Sequence, residues 1–206
     1  MQVAPDKLQY ENRLWQQGLQ YVAGVDEAGR GPLAGPVVAA AIMFPPGESI
    51  PGVDDSKKLT PRVRAELYPL LIERCTSYAV SIVNADEIDR LNILQATILA
   101  MQRAIAGLAP RPEHVLIDGR PLPGCQVPQT AIIKGDALSF TIGAASILAK
   151  VVRDEIMGYY HRRFPQYGFN QHKGYGTVAH LAALKKLGPC AIHRRSFKPR
   201  RSAGME

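Results

Sequence analysis

Cysteine is scarce in this sequence, and the three present, Cys75, Cys125 and Cys190, stand far apart. An odd, scattered set builds neither a disulfide framework nor the paired spacing of a zinc site. Free thiols and a cytoplasmic location are therefore expected. Long apolar runs are missing as well, which excludes a membrane-spanning helix and a membrane partner. The opening Met1-Gln-Val-Ala-Pro-Asp-Lys7 has neither a basic start nor an apolar stretch, so no signal peptide is expected. Internal repeats and low-complexity tracts are absent. Acids are outnumbered, 18 against 25 lysines and arginines, for a net charge of +7. The surplus is local. From Lys150 onward twelve basic residues face three acids, which leaves the preceding chain slightly acidic. Such asymmetry is the footprint of a polyanion binder, nucleic acid above all. A solubilising tail is the plainer alternative, but the arginines, and a Gly/Tyr/His loop among them, weigh against it.

With 46% apolar and 21% charged residues, the 206-residue chain reads as one globular domain, 1–206. A basic, helical C-terminal part from about 160 to 206 is expected to help bind the substrate. A monomer is expected. Residues 7–19 suit a short amphipathic helix. Tyr21–Val25 and Val37–Phe44 read as neighbouring antiparallel strands, and Ser77–Val83 as a third. Thr60-Pro61 opens a helix to about Arg74, broken or ended near Pro69. Asp86–Leu108 carries one continuous helical stripe, stopped at Gly107 and Pro110. Val115–Asp118 is a short strand ending in an acid, and Thr130–Asp136 repeats that plan. Ser139–Arg163 is helical with a bend or restart near Gly143 or Gly158, and a soft boundary falls between Gly158 and Gly168. Gly168–Thr177 is a loop, and Thr177–Leu187 a last helix, before basic, mobile final residues. Three strands followed by alternating strands and helices predict an α/β fold, a mixed sheet flanked by helices with a helical C-terminal extension.

The chemistry concentrates where predicted strands end: Asp26-Glu27, Asp118 and Asp136. Brought together, four carboxylates repel one another unless a cation intervenes. Hard divalent ions, Mg²⁺ or Mn²⁺, suit such oxygens, and no His/Cys set competes for zinc. Two ions about 4 Å apart would serve phosphodiester hydrolysis. Any one acid alone would be read as a solvated loop. Beside the first pair, Gly29-Arg30-Gly31 offers backbone amides and a guanidinium to an anion. Ser56 and Lys57 precede the Thr60 cap, and Ser146 and Lys150 lie one helical turn apart. Either pair could grip phosphate, though a solvated Lys57-Lys58 pair and a Lys150–Asp154 ion pair are the ordinary meanings. In His172-Lys173-Gly174-Tyr175-Gly176-Thr177 a tyrosine between glycines can lay its ring on a sugar or base.

The stretches Val-Asp26-Glu27-Ala-Gly29-Arg30-Gly31-Pro-Leu-Ala-Gly-Pro-Val, Asp55-Ser56-Lys57-Lys58-Leu, Ile-Asp118-Gly, Lys134-Gly-Asp136, Ala-Ala-Ser146-Ile-Leu-Ala-Lys150-Val-Val-Arg-Asp154 and His172-Lys-Gly-Tyr175-Gly-Thr come in one order across residues 20 to 180. In this the sequence resembles the ribonuclease HII family. The resemblance implies a ribonuclease H-like fold and endonucleolytic cleavage of the RNA strand of RNA–DNA hybrids. It also implies incision on the 5′ side of single ribonucleotides in duplex DNA, as in ribonucleotide excision repair, leaving 3′-hydroxyl and 5′-phosphate ends. Asp26, Glu27, Asp118 and Asp136 then become ligands of Mn²⁺ or Mg²⁺, two ions during catalysis. Gly29, Arg30, Gly31 and Tyr175 become the readers of the ribose 2′-hydroxyl, with Ser56, Lys57, Ser146, Lys150 and Lys173 at the substrate. Two readings from other classes stand beside this one: a non-catalytic nucleic-acid-binding protein, and a DNA nuclease with the same metals. Binding to a replication clamp is left open, since no clamp-binding peptide stands out near Glu206.

Overall fold

The computed structural model describes residues 6–198. The reading of the last residues as mobile, and the search near Glu206, fall outside that range. A five-stranded sheet runs through the middle in the order β3-β2-β1-β4-β5, with β1 Val22–Ala28, β2 Val37–Met43, β3 Ser77–Val83, β4 His114–Asp118 and β5 Gln129–Ile132. β1, β2 and β3 pair antiparallel, and β1, β4 and β5 parallel. The mixed sheet expected from the sequence is therefore present. Every residue of β2 is buried, because helices cover both faces and the strand has no wet side to fill with polar residues.

Alternation along the strands divides the core. Ala23, Val25, Ala39 and Ala41 pack with Ala100 and Ala104 of α4 (Ile93–Ala106). Val38, Ala40 and Ile42 pack with Leu67 and Leu71 of α2 (Pro61–Arg74) and Leu148 of α6 (Phe140–Arg163). The first ten residues of α6 are all buried, so the helix is apolar all round where it crosses the sheet. Gly24 makes that crossing possible. A Cβ there would lie 2.1 Å from the backbone carbon of Thr141. Glu11, on α1 (Gln9–Gln16), reaches the start of α6 and accepts from the Ser139 hydroxyl at 2.6 Å and the Thr141 amide at 3.0 Å. A carboxylate at a helix N-terminus is favoured by the exposed amides and the dipole.

Several boundaries differ from expectation, each for a local reason. α2 continues through Pro69. That proline is exposed, so water can take the carbonyl that loses its amide partner. The Asp86–Leu108 stripe is two helices, α3 (Ala85–Leu91) and α4, parted by Asn92 at φ 69°. The Asn92 side chain accepts from the amides of Leu94 and Gln95 and so caps α4. α6 runs unbroken from Phe140 to Arg163, with no restart at either glycine. Gly143 lies 3.0 Å, measured from a virtual Cβ, from the Asp136 carbonyl, so it is there for close packing. Part of the Gly168–Thr177 loop is a one-turn helix, α7 (Phe169–His172), ahead of α8 (Val178–Leu187). Ala34, Met157, Tyr167, Phe169 and Ile192 form a separate small core there.

Gly24→Ala should lower the unfolding free energy by at least about 2 kcal/mol, because a methyl group pressed into backbone cannot be relieved by a rotamer change. Chemical denaturation measures it. A cost below about 0.5 kcal/mol would show that α6 is not seated directly on β1.

Candidate active site

β1 extends three residues beyond Val25, so Asp26 and Glu27 lie within the strand. Asp26 pairs in register with Ala40, one of the residues under α6. β4 lies parallel on the other side, with Val25 opposite Ile117, and this brings Asp118 beside Asp26. Asp136 arrives differently from the expected strand end. β5 stops at Ile132, Lys134 takes a left-handed turn at φ 58°, and Asp136 sits in the one-turn helix α5 (Gly135–Leu138). The Asp118 Oδ1 atom accepts the Gly135 amide at 2.7 Å and so fixes that turn.

Asp26, Glu27 and Asp118 gather at the carboxyl ends of the parallel strands, where open α/β sheets place their sites, and Asp136 approaches Asp118 from α5. Asp26 and Asp136 are 3% and 6% exposed. Burial first, then Glu27 and Asp118, push the Asp26 carboxyl well above the usual carboxylate range, and the Ser146 hydroxyl opposes the rise. Burial also raises Glu27, against the pull of Arg30, whose Nη1 lies 3.2 Å from the Glu27 Oε1 atom. Asp136 is raised by burial, Asp118 and Asp55. A second counter-charge, besides Arg30, is Lys57, with Nζ 3.4 Å from the Asp136 Oδ2 atom and 4.0 Å from the Asp55 Oδ1 atom. Burial would lower the Lys57 ammonium, but Asp26, Asp136 and Asp55 outweigh it and hold it above its ordinary value.

Asp26 Oδ2 is buried without a hydrogen-bond partner. A buried anionic oxygen left unpaired is costly, and a bound cation removes the cost. The donor set, carboxylates with no thiol or imidazole, fits a hard divalent cation. Among the described residues no three acids already close around one point. Ligation therefore requires side-chain rotation, and the Lys57 side chain, 72% exposed, is free to withdraw.

The other expected residues divide. A cleft of about 310 Å³ is lined by Asp26, Glu27, Asp118, Gly29, Arg30, Gly31, Ser56, Lys57, Lys150 and Tyr175. Ser146 lies beneath it, its Oγ 2.8 Å from that of Ser56, and both serines are buried. Lys150 is ion-paired with Asp154 at 2.7 Å, and burial lowers its ammonium. Lys173 does not line the acid cleft. It caps α7 in a left-handed conformation, φ 50°. A virtual Cβ on Gly31 lies 3.6 Å from the Tyr175 ring, so the two loops expected to share a sugar are neighbours. They continue into a groove of about 530 Å³ between Arg30, Gly31, Tyr175, Phe197 and Lys198. A comparable cavity, about 510 Å³, lies away from the acids between Ile105, Leu108, Cys125 and Val127, with Arg111 its one charged wall residue.

Gly29 has a different reason from the expected one. Its φ is +96°, and a Cβ would lie 2.0 Å from Arg153 Nε and 2.6 Å from the Pro36 carbonyl oxygen. Packing toward the interior requires this glycine. Sequence reasoning also missed three buried arginines, two of which it had counted toward the basic surface. Arg64 donates to the carbonyls of Ser56 and Leu59, which fixes the turn bearing Lys57. Arg153 and Arg194 are 1% and 2% exposed and point into the loop at 29–36. Charge alone cannot separate a buried arginine from a surface one.

Comparison with known proteins gives the family and the fold. The family model for ribonuclease HII matches residues 23–200. A ribonuclease HII from Moorella thermoacetica is 56% identical over 92% of this chain and 92% of its own length. Among solved structures, the ribonuclease H2 of Pyrococcus horikoshii superposes with a TM-score of 0.74 at 29% identity, covering 87% of this chain and 95% of that one. The ribonuclease HII of Archaeoglobus fulgidus, solved in complex with PCNA, gives 0.73 at 25% identity over 88% and 97%.

In chelator, Asp26→Asn should melt higher than wild type at pH 8, because it removes a carboxylate that the fold penalises. A raised native pKa means stability present at low pH and lost as pH rises through it, so the two melting curves should converge on acidification. Added Mg²⁺ should raise the wild-type midpoint and leave the variant's unchanged. A variant that melts lower in chelator and still responds to Mg²⁺ would remove Asp26 from the cation site.

Proposed function

The chain belongs to the ribonuclease HII family, and we propose that it hydrolyses the RNA strand of RNA–DNA hybrids and incises 5′ of single ribonucleotides embedded in duplex DNA. The observation that carries this reading is one cleft lined both by the acids and by the neighbouring Gly31 and Tyr175. Acids by themselves fit any metal-dependent nuclease. A sugar reader beside them selects ribose, since the 2′-hydroxyl is what separates RNA from DNA at one nucleotide.

In this reading Asp26, Glu27, Asp118 and Asp136 hold Mg²⁺ or Mn²⁺, two ions during catalysis. When bound, such ions lower the pKa of an attacking water and neutralise charge on the leaving oxygen. The amides of Gly29, Arg30 and Gly31 face the 2′-hydroxyl, and the Tyr175 ring packs on the same sugar. Lys57 approaches the phosphate, from which it also offsets the acid cluster before substrate arrives. Ser56 and Ser146 hold the cleft floor. Lys150 and Lys173, and the exposed basic residues from about 160 onward, contact the backbone of the duplex, where displaced counterions make binding weaken as salt is added. The products carry a 3′-hydroxyl and a 5′-phosphate, and the whole chain acts as one domain and as a monomer.

Three duplexes test this: an RNA–DNA hybrid, a DNA duplex with one ribonucleotide, and the same duplex in DNA alone. The first two should be cut with Mg²⁺ or Mn²⁺ and not with chelator, and a polymerase should extend the new end. Tyr175→Ala should lose at least tenfold in kcat/KM at the single ribonucleotide, and Tyr175→Phe less. Equal cutting of the DNA duplex would make the protein a general DNA nuclease. Tight binding without cutting would make it a binding protein only.

A further inference from the structure

The loop between β1 and β2 is held from inside by two guanidiniums. Arg153 donates Nε to the Pro36 carbonyl at 3.0 Å and Nη2 to that of Ala34 at 3.2 Å. Arg194 donates Nε to Gly35 at 2.9 Å, Nη1 to Arg30 at 2.9 Å, and Nη2 to Gly29. Five carbonyls of one eight-residue loop thus turn inward. The amides of Gly29, Arg30 and Gly31 make no loop hydrogen bond among the described residues. Neither buried arginine has a carboxylate within ion-pair distance among those residues. Two unpaired buried cations are a poor choice for stability alone, since an apolar pair would avoid their desolvation. A planar fork that reaches three diverging carbonyls has no apolar substitute.

Arg194 follows His193, which belongs to the other loop's support. His180 Nδ1 lies 2.9 Å from the Tyr175 carbonyl, which can only accept, so Nδ1 carries the proton. Its Nε2 then accepts from His193 Nε2 at 3.0 Å. His193 Nδ1 in turn accepts the Cys190 amide at 2.9 Å. The chain of bonds is complete only with both rings neutral, and burial lowers both imidazoles, His193 to about 4. The segment is pinned from behind by Asp89 of α3, which accepts the amides of Arg195 at 2.8 Å and Ser196 at 3.0 Å. The loops also touch each other, since the Leu33 amide donates to the Gly174 carbonyl at 2.8 Å.

We propose that the dipeptide His193-Arg194 is a positioning pair for ribose recognition: Arg194 turns the amides of the 29–31 loop toward the sugar, His193 fixes the Tyr175 loop through His180, and their adjacency sets the spacing of the two loops. Neither side chain touches the substrate. The proposal rests on the ribose reading above and extends it to residues outside the cleft.

The test is a ratio of affinities, measured in Ca²⁺ to prevent turnover: the dissociation constant for an all-DNA duplex over that for the same duplex with one ribonucleotide. A protein that is only partly folded changes both constants together and leaves the ratio alone. Arg194→Lys, whose ammonium reaches one carbonyl instead of three, should lower the ratio at least fivefold while all-DNA affinity stays within twofold. His193→Asn, which has no donor at the Nε2 position, should do the same. His193→Gln, which restores that donor, should recover the wild-type ratio within twofold. The histidine pair carries the test if Arg194→Lys does not fold. A wild-type ratio retained in both Arg194→Lys and His193→Asn overturns the positioning role. A wild-type protein with a ratio near one overturns the ribose reading itself, a separate failure seen before any variant is made.

Discussion

A carboxylate stripped of water in the central strand of a sheet is the constraint from which this molecule is best understood. Asp26 is 3% exposed, one of its oxygens is unpartnered, and two further acids lie against it. Nothing in folding favours that arrangement. It persists because the surrounding strands are over-determined: β2 is buried along its whole length, and Gly24 lets α6 lie directly on β1. The stability of the sheet underwrites a strained polar site at its edge, and a divalent cation is the species that resolves the strain.

The opposite wall of the cleft is built by the reverse device. Cations, not acids, are buried there, and they act on backbone. Arg153 and Arg194 collect the carbonyls of the loop, while the amides of Gly29, Arg30 and Gly31 make no hydrogen bond among the described residues. A loop whose polarity is sorted in this way faces a ligand oxygen with donors already in place and little reorganisation to undergo on binding. The two walls are therefore complementary in sign, with cation-binding oxygens on one side and anion- or hydroxyl-binding amides on the other. A phosphodiester with a ribose beside it matches both.

Much of this could be read from residues alone. Strand pairing followed from apolar runs and their close spacing, and acids in glycine-bearing turns pointed to a shared site. Where reading failed, the cause was tertiary. Asp136 and Asp118 seemed to occupy equivalent strand ends, but the left-handed Lys134 and the helix α5 carry Asp136 into place. Asn92 split a continuous helical stripe because its side chain caps the second helix, a local competition that periodicity does not register. Gly143 looked like a helix break and is a contact. Gly29 was read for the amide it offers, and the space left by its missing Cβ is filled by Arg153. A glycine announces that backbone approaches something closely, without saying on which side. The buried arginines were the largest omission, because a sequence lists a charge without its partners.

The central claim is that the acids are assembled against their own repulsion in order to hold a divalent cation. Carbon-detected NMR of the Asp26 carboxyl, titrated with and without Mg²⁺, measures this directly. In metal-free protein the resonance should titrate well above the ordinary aspartate value of 3.8. With saturating Mg²⁺ the midpoint should drop below that value, because the cation now favours the ionised form. A midpoint near 3.8 that does not move with Mg²⁺ would contradict the account.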